Sequence, residues 1–172
     1  ISSRFSITRN QNTLWNSATR FIDSLEQYST LLEVGSGNGR NLKRAQDNNI
    51  CCFALDMCKE FTEMTAPQIP SVRGCNLNLP FRDSSMDNIL SIAVIHHFST
   101  FERRKRAVEE LYRVLKPGGK MFIQVWSLNQ PRKSRRKFTQ QENLVPFNYP
   151  NTDGNNNLRY YWVFKENELE NL

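Results

Sequence analysis

Long apolar runs are missing from this chain of 172 residues: no uninterrupted hydrophobic stretch approaches the roughly 18 residues that a membrane-spanning helix needs. Metal-binding residues are scarce too. There are two histidines and four cysteines, and Cys51, Cys52, Cys58 and Cys75 form no CxxC pair, so a metal site of the chain's own is not expected. Cys51 and Cys52 sit in an apolar run, which points to reduced thiols acting as small hydrophobes in an intracellular protein. No signal peptide is recognisable, and the start at Ile1 rather than methionine leaves room for a preceding segment. Two phosphate-binding signatures are also absent, the dinucleotide GxGxxG and the Lys-Ser/Thr pair of a P-loop, which argues against NAD and ATP. Glycine and proline number only seven each, so their clusters carry meaning.

What is present suits a single globular domain. Hydrophobic residues make up 38% and charged residues 23%, ordinary values that force no disordered class. The net charge of +6 is unevenly spread. Arg103 to Arg106 form one basic run, readable as a solvated helix face or as a polyanion contact. Arg132, Lys133, Arg135, Arg136 and Lys137 form a denser one that suggests nucleic-acid phosphates.

Strand-like and helix-like segments alternate. Helical spacing covers 16–25, and apolar strands are expected at 31–34, 51–55, 72–75, 88–94 and 120–126. Helices are expected from 41, after 56 and over 102–115, the last stopped by Lys116-Pro117-Gly118-Gly119. This alternation predicts an α/β domain with a mostly parallel sheet and helices on both faces. Residues 129–161 read as a substrate-side excursion without clean periodicity until LRYYWVF. KENELENL then begins a helix-like pattern and stops, so the last elements of the fold are expected to be missing.

In such sheets ligands bind outside the carboxyl ends of the strands. LLEVGSGNGR, residues 31–40, puts Gly35, Gly37 and Gly39 at one such end, before a helix. Asp56 closes the second strand, where a carboxylate can accept hydrogen bonds from ribose hydroxyls. The turn EVGSGNGRN resembles the first motif of class I S-adenosylmethionine-dependent methyltransferases, which have a Rossmann-like fold. FSITR, LNLPFRDSSMD, SIAVIHHFST, LKPGG, LVPF and RYYWVF together resemble the tRNA 5-carboxymethyluridine methyltransferases, which act on the wobble uridine. That resemblance spans about 5–169.

The resemblance implies a cofactor site in which Glu33, Gly35, Ser36, Gly37, Asn38 and Gly39 surround the methionine part of S-adenosylmethionine. Asp56 then takes the ribose, Met57 packs beside the adenine, and Cys75, Asn76, Leu77 and Ile92 complete the site. Cys75 departs from the family, which usually has an aspartate there to reach the adenine amino group. A thiol is a poor acceptor, which leaves two readings: Asn76 replaces the contact, or the cofactor is held weakly. The resemblance also implies catalytic roles for Arg9, His97 and Arg159, with His96 as the alternative histidine. Tyr160, Arg132, Arg135 and Arg136 become substrate-binding candidates, and Trp162 stands where relatives often carry histidine. The implied partners are the tRNA anticodon arm and a small zinc-binding activator protein that covers apolar surface near the third strand. The expected location is the cytoplasm, with the nucleus as a second compartment.

Esterifying a carboxymethyl group suits this residue set. The nucleophile is already ionised near neutral pH, so alignment matters more than proton removal, and arginine has the planar fork to hold a carboxylate. The rival readings are a methyltransferase on another RNA base, a small acid or a protein residue, and a catalytically inactive RNA-binding relative. The basic loop provides a test. Replacing Arg132, Arg135 and Arg136 together by alanine is expected to weaken RNA binding and flatten its logarithmic salt dependence by about 0.7 to 0.9 per lost phosphate contact. An unchanged slope in a binding titration across salt concentrations rules the loop out as a phosphate site.

Overall fold

The computed structural model describes residues 14–130, 134, 136–146 and 158–172. Its centre is a five-stranded parallel sheet in the order β3-β2-β1-β4-β5. The strands are β1 Thr30–Val34, β2 Cys51–Asp56, β3 Ser71–Arg73, β4 Met86–Ile92 and β5 Leu115–Gln124. Among the described residues four helices connect or precede them: α1 Asn16–Asp23, α2 Arg40–Asp47, α3 Lys59–Thr65 and α4 Phe101–Val114.

Side chains alternate across a strand, and the sequence uses both faces. Leu31, Cys52, Ala54 and Leu90 pack with Ala18 and Ile22 of α1 and Leu42 and Ala45 of α2. Their neighbours Leu32, Leu55 and Ile89 pack on the other side with Ala107, Leu111 and Val114 of α4. These α4 positions follow the helical repeat that the sequence predicts. Thr100 caps that helix, its hydroxyl accepting from the Arg103 N–H at 3.2 Å.

Several boundaries move. The expected strand at 72–75 is Ser71–Arg73, and the one at 88–94 runs instead over Met86–Ile92. The last strand begins at Leu115, so Lys116-Pro117-Gly118-Gly119 lies inside it rather than between elements. Met86 pairs with Leu115 while Asn88 pairs with Lys120, so β5 bulges outward just where the proline and glycines fall. The excursion at 129–161 contributes an antiparallel pair, β6 Glu142–Pro146 with β7 Leu158–Trp162. KENELENL forms only a short 3-10 turn at Leu169–Asn171. It is pinned by Glu168, whose carboxylate accepts from Gln141, Trp162 Nε1 and the Lys165 N–H.

The first basic run is largely structural. Arg104 is buried, donates to the Phe98 and Ser99 carbonyls, and lies 4.1 Å from the Trp162 ring centre. Lys105 and Arg106 pair with Glu109 and Glu110 one turn on. Among the described residues no helix is long and apolar enough to cross a membrane.

At the amino-terminal edge of the sheet, Asp87 of β4 ties three strands together. It accepts from the Thr30 N–H at 2.9 Å and the Thr30 hydroxyl at 2.8 Å in β1, and from Lys116 in β5 at 2.6 Å. Lys116 first, and the Thr30 N–H second, push its pKa down to about 2. A depressed carboxyl stabilises the fold above its unfolded pKa of 3.8 and loses that contribution as pH falls toward about 2. Asp87 is a third exposed, so screening leaves about 1 kcal/mol. Urea unfolding of Asp87→Asn is expected to show that deficit near neutral pH and convergence with the parent near the acid end. A constant deficit at every pH contradicts the assignment.

Candidate active site

The carboxyl ends of β1, β2 and β4 open on a cavity of about 560 Å³. Gly35, at the end of β1, and Ser36 both donate their N–H to the Leu55 carbonyl of β2, at 2.7 and 3.0 Å. Gly35 has φ +78°, and a Cβ there would stand 2.2 Å from Val94 Cγ2 beyond β4. No side chain fits that gap. Gly39, at φ +71°, starts α2 against Thr65 of α3, with only 2.8 Å for a Cβ. It shapes the turn against α3 and is not among the residues that line the cavity.

Asp56 joins the two turns. Its Oδ2 accepts from the Gly37 N–H and its Oδ1 from the Cys58 N–H, both at 2.9 Å. Each oxygen keeps a further lone pair, as a receptor for a diol requires. Glu33 lies deeper, 1% exposed, with Oε1 accepting from Asn41 Nδ2 at 2.6 Å and Oε2 without a partner. Burial pushes its pKa up to about 8, opposed by Asn41 and by the charge of Arg40. Asn38 Nδ2 and Ser36 Oγ are likewise buried without partners.

The opposite wall is formed after β3 by Gly74, Cys75 and Asn76. Asn76 is 4% exposed, and both its Nδ2 and its Oδ1 lack partners. Leaving such groups unmet costs about 1–3 kcal/mol each, so the protein holds them there against its own stability. The Cys75 thiol accepts from the Leu77 N–H at 3.5 Å. Leu77 itself packs into the core beside α4 and is not among the residues that line the cavity.

The third side of the cavity comes from β4 and β7. Ile92 is followed by Ala93 at φ +61°, a strained conformation for a residue with a side chain. His96 and His97 sit on a 3-10 turn at Ile95–His97, after the strand rather than at its end. His96 is 1% exposed, packs on Trp126 and Tyr161, and accepts the Trp126 N–H on Nδ1 at 3.2 Å. His97 is exposed, and its Nδ1 meets the Tyr160 carbonyl at 2.9 Å. A carbonyl only accepts, so Nδ1 carries a proton and Nε2 is the basic atom of the neutral ring. Arg159, Tyr160 and Tyr161 of β7 reach the same cavity.

Thus the cavity gathers Glu33, Gly35, Ser36, Gly37, Asn38, Asp56, Met57, Cys75, Asn76, Ile92, His97, Arg159 and Tyr160 of the expected site residues. Arg136 lies outside it, exposed, with its guanidinium carbon 5.6 Å from the Trp126 ring centre. Trp162 also lies outside, because its ring covers Arg104. Arg9, Arg132 and Arg135 fall outside the described residues. Sequence reasoning missed Arg40 and Asn41, which follow the glycine turn directly, and Phe61 and Val94. The signal for the first pair was adjacency to the turn.

Residues 32–123 match the family model for a methyltransferase domain. Across an alignment of 192 residues the chain is 34% identical to the tRNA (carboxymethyluridine(34)-5-O)-methyltransferase of Schizosaccharomyces pombe, matching 100% of this chain and 82% of that one. The chain belongs to this methyltransferase family. It is also 41% identical over 139 residues to the probable tRNA methyltransferase 9B of Mus musculus, aligning over 80% of its own length and 30% of that relative's. It therefore spans less than a third of the mouse protein. Among solved structures, it resembles a Haloferax volcanii complex of the Trm112 methyltransferase activator with a methyltransferase (TM-score 0.57, 25% identity, 63% of this chain and 51% of that one).

The methyltransferase cofactor, S-adenosylmethionine, fits the residues present. A buried acid, a diol receptor and an unmet amide line one cleft, and a glycine stands where a Cβ would clash. Glu33 gives this fit a pH signature. Its neighbours are Asn41 and Arg40 from α2 and Asp56 from β2. Holding a cationic amino group requires its ionised form, so below about pH 8 binding of the cofactor should release a proton. Affinity is expected to rise by up to about tenfold per pH unit from roughly 6 to 8. Calorimetry in buffers of different ionisation enthalpy checks this. Glu33→Gln should abolish the release, and release that persists in that variant contradicts the assignment.

Proposed function

We propose that this chain forms the methyl ester of 5-carboxymethyluridine at the wobble position of tRNA, using S-adenosylmethionine. The observation that carries the reading is the meeting of β7 with the strand ends, which brings Arg159, Tyr160 and His97 to the cavity holding Glu33, Asp56 and Asn76. Identity to the Schizosaccharomyces pombe enzyme along the whole chain supports the substrate class.

The cofactor supplies a methyl group made electrophilic by a positively charged sulfur. The residues of the chain do the rest by position. Glu33 and Asp56 fix the two ends of the methionine and ribose parts. Arg159, with Arg9 as its partner, holds the substrate carboxylate in line with the methyl carbon through its planar fork. The wall of Trp126 and Tyr161, stacked with ring centres 4.4 Å apart, excludes water on one side. Tyr160 donates its hydroxyl to the Ser99 carbonyl at 3.3 Å and so keeps β7 against the turn that carries His97. His97 orients the substrate without removing a proton, because the attacking oxygen carries none.

Arg132, Arg135 and Arg136 contact phosphates of the anticodon arm. A small activator protein lies along β3, the edge strand, where Val72 and nearby Met64 are exposed. The working compartment is the cytoplasm, with the nucleus as a second one.

Single-turnover rates on tRNA bearing carboxymethyluridine, with the activator present, are expected to stay nearly flat between about pH 6 and 8 once cofactor is saturating. Arg159→Lys should slow turnover and Arg159→Ala should slow it further, on the order of 100-fold, with cofactor affinity little changed. A steep rise with pH that disappears in His97→Gln contradicts the alignment mechanism and makes His97 a general base.

A further inference from the structure

Asn76 lines the cavity with an amide whose buried donor, Nδ2, and buried acceptor, Oδ1, are both unmet among the described residues. The chain fixes it there. Cys75 and Asn78 form an isolated bridge, with the Asn78 N–H donating to the Cys75 carbonyl at 3.1 Å, and Asn76 sits in the turn between them. The nearby Cys75 thiol already takes the Leu77 N–H. The carboxylates of the cavity, Glu33 and Asp56, belong to β1 and β2 and have their own donors. The cavity wall after β3, among the described residues, is Gly74, Cys75 and Asn76.

We propose that Asn76 reads the purine of the cofactor through its amide, and that this amide accepts a hypoxanthine ring nearly as well as an adenine. This rests on the cofactor assignment above and goes on to its base selectivity. With the ribose at Asp56, the purine edge farthest from the sugar, bearing N1 and the exocyclic group, is the one that reaches the wall after β3. On adenine that edge offers a donor at the amino group and an acceptor at N1. Oδ1 accepts from the first and Nδ2 donates to the second, a bidentate pair. Hypoxanthine reverses both groups, with an acceptor oxygen and a donor N1–H. Turning the amide by half a rotation restores both bonds. A carboxylate in this place has no donor to turn, so it cannot match both rings in this way.

The test compares S-adenosylhomocysteine with its deaminated analogue, S-inosylhomocysteine, by calorimetry on the purified chain. The parent protein is expected to bind the two within about tenfold of each other. Asn76→Leu should weaken both by roughly 10- to 100-fold. The same variant should raise the melting temperature of the ligand-free protein, because it removes two unmet polar groups. A merely structural asparagine predicts the opposite shift on melting. Preference for adenine beyond about tenfold in the parent overturns the proposal, as does unchanged binding in Asn76→Leu. Either result leaves the cofactor assignment standing. Should Asn76→Leu not fold, the parent ratio alone decides. A parent that binds neither compound overturns the cofactor assignment and this inference together.

Discussion

The carboxylate of Asp56 is the point on which the site depends. By taking the N–H groups of Gly37 and Cys58 it sets the turn after β1 against the turn after β2. Gly35 completes the constraint, since the same turn must pass Val94 more closely than any Cβ permits. Two strand ends and a third are thereby held around one cleft. Everything chemically useful is then a matter of which side chains line it.

Those side chains are costly to the ligand-free protein. A carboxyl at 1% exposure, an amide with both ends unmet and a strained Ala93 oppose folding. The compensation lies elsewhere, in two apolar layers on opposite faces of the sheet and in the Asp87 and Glu110 networks at its margins. Glu110, a buried residue of α4, takes the Leu79 N–H and the Arg113 guanidinium and so holds the loop that leads into β4. Stability is thus concentrated away from the cleft, and unmet polarity within it.

Much of this was legible because it is local. The spacing of the glycines, the aspartate that closes a short apolar strand and the apolar face of α4 are patterns within a few residues, and spacing alone exposes them. What the sequence hid depends on distant partners. Pro117-Gly118-Gly119 reads as a stop, yet pairing across to Met86 and Asn88 makes it a bulged strand start. Arg104 reads as surface charge within a basic run, and only the Trp162 ring and two loop carbonyls make it a core residue. β6 carries Glu142 and Asn143 at its start, which masks a strand that exists because β7 pairs with it. Asn76 could be singled out by position, but its unmet amide is a property of the folded wall alone.

The central claim is that the cleft directs a methyl group onto a carboxylate oxygen. Incubation with labelled S-adenosylmethionine, the activator and carboxymethyluridine-bearing tRNA, followed by mild alkali, tests it most directly. An ester should surrender the label as volatile methanol and return the carboxymethyl nucleoside. Label that stays on the nucleoside through alkali would place the methyl on nitrogen, carbon or a ribose oxygen, and would contradict the account.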